Sequence, residues 1–168
     1  MKNVILCTVF MALAGLVHSQ DVKLTKSEKK EMAAKKNMEQ TKALVNSKAF
    51  EFTGNFMFPQ SGQRISMATP PNTLKINKNT VTSNLPFIGT KQAIGANSGM
   101  MFEGELEEFT MAYVEKKNKI RLSFKLKDGT ERFRFELDIA PDGYTNMVVS
   151  SNKRSTISYT GTIAGLNE

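Results

Sequence analysis

From residue 49 onward the chain alternates apolar and polar positions with period two, interrupted again and again by Gly, Pro, Asn and Asp. That pattern predicts a run of short antiparallel strands, each with one buried face. In the first, Phe50, Phe52, Gly54, Phe56 and Phe58 share one side, and Glu51, Thr53, Asn55 and Met57 share the other. Pro59-Gln60-Ser61-Gly62 ends it. A short strand near Ile65–Ala68 follows, and Pro70-Pro71-Asn72 makes the next break before Leu74, Ile76 and Val81. Further on, the inward positions change parity from Phe102 and Leu106 to Phe109, Met111 and Tyr113, which calls for a bulge near Glu107-Glu108.

Two hairpins can be registered from their turns. Asp128-Gly129 reads as a two-residue type I′ turn, which places Phe124 opposite Phe133, Leu122 opposite Phe135 and Ile120 opposite Leu137. Arg121 then faces Glu136, and Lys119 faces Asp138. Pro141-Asp142-Gly143 suits a three-residue loop with a glycine bulge, pairing Leu137 with Met147 and Phe135 with Val149. Asn152-Lys153-Arg154 turns the chain once more, into Ile157, Tyr159, Gly161 and Ile163.

Before residue 49 the period is helical. Thr25 with Glu28 is a capping box, and no Gly or Pro interrupts the stretch to about Asn46. Its apolar stripe is thin, so only the second half docks, through Met38, Thr41 and Val45. The expected fold is mainly β (α+β): an N-terminal helix followed by a curled antiparallel meander of about eight to ten strands, barrel-like or sandwich-like.

One segment departs from the alternation. In Leu85-Pro86-Phe87-Ile88-Gly89, continuing through Gly95, Gly99 and Phe102 to Glu103, proline and glycine predict shaped, irregular backbone.

The first residues, MKNVILCTVFMALAGLVHSQ, combine a basic start, a short apolar run and small residues near Ser19. They read as a secretory signal, because a membrane span needs roughly 20 apolar residues. The expected organisation is a signal peptide over 1–19, a lysine-rich helix over 20–48 and a β domain over 49–165. The product is expected to be exported, periplasmic or extracellular, and soluble, with no stable membrane insertion after cleavage. It is not expected to be a lipoprotein, since Cys7 stands early in the apolar run rather than at the cleavage point.

Cleavage would also remove His18, leaving residues 20–168 without Cys, His or Trp. Disulfides, thiol catalysis, Cys/His zinc sites and a Ser-His-Asp triad all require residues that are then absent. No cofactor is expected. The formal charge is +7, and eight lysines fall within residues 21–48. That stretch has no aromatic side chain for stacking on bases, so no nucleic-acid partner is expected, and its lysines read as a solvated helix face.

Three motifs taken together resemble a known family: AFEFTGNFMFP, then SNLPFIGTKQAIG leading to GMMFEG, and finally VVSSNKRSTISYTGTI. They look like the bacterial family catalogued as domain of unknown function 4251, found mainly in Bacteroidetes as exported proteins of this size. The resemblance covers nearly all of the chain after the signal. Where the family commonly has LPYFG, this chain has Phe87 and Ile88, which removes a hydroxyl. The resemblance implies compartment and fold and carries no activity.

Candidate sites are few. Glu103, Glu105, Glu107 and Glu108 form the densest acidic cluster, yet their alternation marks a solvent face. A carboxylate-dependent hydrolase acting on envelope glycans would need two of them in one cleft. No residue is assigned as catalytic or metal-binding. Leu85, Pro86, Phe87, Gly89, Tyr159 and Gly161 are the expected core-plug or binding loop and its surroundings. The expected function is a non-catalytic envelope module whose partner is an apolar ligand or an envelope component. A binding module would show a continuous apolar pocket beside Pro86 and Phe87.

Overall fold

The computed structural model describes residues 25–70, 72–90 and 99–166. The expected signal segment, 1–19, lies outside them. The chain divides into two compact units, Met1–Glu31 and Met32–Glu168. Helix α1 runs from Lys26 to Asn46. In the first unit, its start carries both bonds of the capping box: the Glu28 amide donates to Thr25 Oγ1 at 3.2 Å, and the Thr25 amide donates to the Glu28 carboxylate at 2.7 Å.

In the second unit, Met38, Thr41 and Val45 are the buried residues of α1, spaced three and four apart so that they fall on one face. Thr41 Oγ1 donates to the Pro141 carbonyl at 2.9 Å, anchoring the helix to a hairpin tip 100 residues away. Lys48, at φ 52°, turns the chain out of the helix.

Among the described residues ten strands follow: β1 (Ala49–Phe58), β2 (Ile65–Ser66), β3 (Thr73–Asn77), β4 (Thr80–Pro86), β5 (Gly99–Glu105), β6 (Glu107–Val114), β7 (Lys119–Asp128), β8 (Glu131–Ile139), β9 (Tyr144–Ser151) and β10 (Ile157–Gly165). They form one antiparallel sheet in the order β5-β4-β3-β1-β10-β9-β8-β7-β6, with β2 paired to β1. The fold is mainly β, a helix followed by a curled antiparallel sheet.

The curl follows from one connection. β5 and β6 stand at opposite ends of the strand order, yet only Leu106 separates them in sequence. Two backbone steps span at most about 7 Å, so the two ends of the sheet must meet at this corner. There the Leu106 amide donates to the Asn79 carbonyl at 2.7 Å, and Phe102 of β5 stacks on Phe133 of β8 with centroids 4.6 Å apart. The interior so enclosed holds Phe50, Phe52, Phe124, Phe133, Phe135 and Tyr159, all fully buried. Phe124 and Phe135 stack nearly parallel at 4.8 Å.

Four details differ from the sequence reading. In β1 the inward face changes after Gly54: the pairing with β10 slips between Gly54 and Phe56, and Met57 is buried where Phe56 and Phe58 were expected. Asn55 is the extra residue of this bulge. Phe56 instead lies on the outer side beneath the Arg64 guanidinium, 3.6 Å from its ring centroid.

The β7–β8 hairpin is registered two residues further on. Asp128 pairs with Glu131, Phe124 with Phe135 and Arg121 with Asp138, so the turn residues are Gly129 and Thr130. Only Gly129 has positive φ, 56°, which suits the type II′ turn with glycine in first place rather than type I′ over Asp128-Gly129. A two-residue slip preserves which side chains face inward, and the like-charged Lys125 and Arg134 find separate partners in Glu108 and Glu136. The β8–β9 hairpin has its expected register, Leu137 with Met147 and Phe135 with Val149.

Tyr113 is exposed rather than inward, with its hydroxyl donating to Asn118 Oδ1 and Lys42 over its ring at 4.2 Å. Finally, Leu85 and Pro86 belong to β4, and Gly99, Phe102 and Glu103 belong to β5, so among the described residues the irregular backbone of this stretch is confined to residues 87–90.

Candidate functional site

The LPFIG segment leaves the end of β4, where Pro86 pairs with Gly99 of β5 and is bonded to Tyr159 of β10. Strand alternation points Leu85 inward, fully buried, and leaves Pro86 as the last rung of β4, opposite Gly99. The Pro86 carbonyl accepts the Tyr159 hydroxyl at 2.7 Å. Tyr159 is fully buried, and burial drives its phenol well above the ordinary tyrosine range, opposed only in part by the positive charge of Arg154. Phe87, 6% exposed, folds back onto the core, whereas Ile88 beside it is 49% exposed. Gly89 passes so close to Ser155 Oγ and the Phe87 ring that a methyl group there would overlap both.

A buried ion pair underlies this segment. Arg154 grips Glu131 with both arms, Nε to Oε1 at 2.9 Å and NH2 to Oε2 at 3.1 Å, and its remaining nitrogen donates to the Gly99 carbonyl at 2.9 Å. The two side chains are 8% and 10% exposed. Ser151 adds a hydroxyl to Glu131 Oε1, so the carboxylate is paired and further hydrogen-bonded. The guanidinium also lies 5.4 Å from the Phe87 centroid and 5.6 Å from that of Phe133. One residue on, Ser155 binds Thr90 in both directions: its amide donates to the Thr90 carbonyl at 3.0 Å, and its Oγ accepts the Thr90 amide at 3.2 Å.

Thus Leu85, Pro86, Phe87, Gly89 and Tyr159 meet in space. Gly161 does not join them: it sits two positions along β10, opposite Gly54, where a methyl group would overlap the Thr53 carbonyl and the Phe52 ring. Sequence reasoning missed Arg154, Ser155 and Glu131. The first two lie inside a motif quoted for the family resemblance, but Glu131 carried no local signal.

A cleft of about 410 Å³ opens at the rim of the segment, lined by Pro59, Gln60, Ser61, Ile88, Gly89, Thr90 and Ser155. The four glutamates are elsewhere: Glu103, Glu105, Glu107 and Glu108 are all exposed, Glu103 accepting from Thr82 and Glu108 paired with Lys125. Among the described residues no group of three His, Cys, Asp or Glu side chains could hold a metal ion, and no helix is long and apolar enough to cross a membrane.

Among the described residues, a helix followed by ten antiparallel strands, curled until the ends of the sheet meet at Leu106, defines a mainly-β protein. Residues 32–163 match the family model described as a domain of unknown function, DUF4251, and the chain belongs to that family. A crystal structure of a DUF4251 family protein from Bacteroides eggerthii has the same fold, with a TM-score of 0.63 at 16% identity, over 80% of this chain and 91% of that one. None of the curated proteins matches the chain.

Proposed function

We propose that this protein is an exported, non-catalytic binding module of the bacterial envelope, which holds an apolar segment of an envelope component in the cleft at the LPFIG rim. The observation that carries the reading is the contrast between neighbours: Leu85 and Phe87 are buried, while Ile88 stands half exposed on the wall of a cleft whose backbone is tied down through Ser155. An apolar side chain held in place beside a concavity, with serine and threonine hydroxyls around it, is the arrangement of a small binding site. Phe87 acts chiefly as a core plug, and binding at its rim is secondary. The exposed, solvent-facing glutamates give no support to a paired-carboxylate hydrolase. Export rests on the character of residues 1–19, and intact-mass measurement of periplasmic protein beginning at Gln20 is the expected result.

The binding test uses the immobilised protein and an envelope extract. Wild type should retain a component that Ile88→Asp does not, at an unchanged melting temperature. Equal retention by both proteins would refute the cleft as the contact surface.

A further inference from the structure

We infer that Arg154 is the positioning residue of this cleft: clamped on Glu131 and on the Gly99 carbonyl, it sets Ser155 at the point where Ser155 holds Thr90, a cleft wall. The inference rests on the cleft reading for its consequence, but the arrangement itself is read from the geometry.

Ser155 lies between the end of β9 at Ser151 and the start of β10 at Ile157, outside both strands. Its neighbour Arg154 is held by three hydrogen bonds to two separate elements, the first residue of β8 and the first of β5. The guanidinium fork is planar, so two bonds to one carboxylate and a third to a carbonyl fix its orientation as well as its position. Phe87 and Phe133 flank it at 5.4 and 5.6 Å, which limits sideways movement. With Arg154 placed, the Ser155 amide and hydroxyl are presented to Thr90, and the exchange of two hydrogen bonds holds the chain just beyond Ile88 and Gly89. A lysine at 154 would keep the charge and lose the fork.

The test is amide hydrogen exchange on the protein without ligand, comparing wild type with Arg154→Lys. Exchange at the Thr90 and Ser155 amides should rise about ten-fold or more, with Phe135 and Val149 in the strand ladder unchanged, because local opening is separable from global unfolding. Wild-type rates at Thr90 and Ser155 would overturn the inference, and so would an equal acceleration at all four amides. Should the lysine variant fail to fold, Glu131→Leu combined with Arg154→Met leaves no unpaired charge in the site and is read by the same criterion. Exchange is measured without the partner, so it is independent of the capture experiment. Faster Thr90 exchange with retention by Ile88→Asp would remove the cleft function and leave the positioning role standing.

Discussion

The hydroxyl of Tyr159 donates to the carbonyl of Pro86 at 2.7 Å, joining two motifs 73 positions apart in the chain. Through this bond β10 holds the end of β4 and, with it, the turn into Phe87. Tyr159→Phe should leave a carbonyl without its partner in a closed environment, at a cost of about 1–3 kcal/mol. A lowered urea midpoint with an unchanged m-value checks it.

The same phenol sets an alkaline limit. Its folded pKa lies above the ordinary value of 10, so its contribution is complete below that pH and is lost as pH rises through the folded value. Folding free energy should therefore fall above about pH 10, by up to about 1.4 kcal/mol per pH unit, and Tyr159→Phe should flatten that slope. Denaturant titrations between neutral pH and pH 11 on both proteins measure the difference.

Phe87→Ala should behave as a core truncation, costing about 3–5 kcal/mol, since the ring is 6% exposed and lies among buried groups. Thermal unfolding decides it. A melting temperature equal to wild type would mean that the ring is a surface group rather than a plug.

Gly129 occupies the first central position of its turn at φ 56°, with open space around it. Gly129→Val should cost about 1–3 kcal/mol through backbone strain alone, and Gly129→Asn less, because asparagine tolerates positive φ. The pair of urea midpoints separates strain from steric clash.

At the acidic end, Asp138 is the group to follow. Burial alone would raise its carboxyl, but hydrogen bonds and charge from Lys119 and Arg121 outweigh that and hold it below the ordinary aspartate value. Its contribution is present above about pH 4 and is lost as pH falls through the lower folded value. Asp138→Asn should remove part of the acid dependence of stability, visible as a shallower loss of urea midpoint below pH 4.

Inward and outward parity was legible in most strands because side chains on a pleated strand repeat every two residues. Leu74, Ile76, Leu122, Phe124, Phe133 and Phe135 could be placed without coordinates. The buried helix positions Met38, Thr41 and Val45 followed equally from the helical period, and the Pro141-Asp142-Gly143 loop carried its own register. Periodicity could not separate two registers that differ by two residues, since both bury the same side chains; backbone geometry at Gly129 decided that. Nor could it place the bulge at Asn55, because the phenylalanines continue to alternate after the pleat has shifted. The end-to-end meeting of the sheet at Leu106, and the grip of Arg154 on Glu131 across 23 residues, depend on how the whole sheet curls. Curl sums small twists over ten strands, so no local stretch of sequence specifies it, and the residues it brings together become visible only in the folded chain.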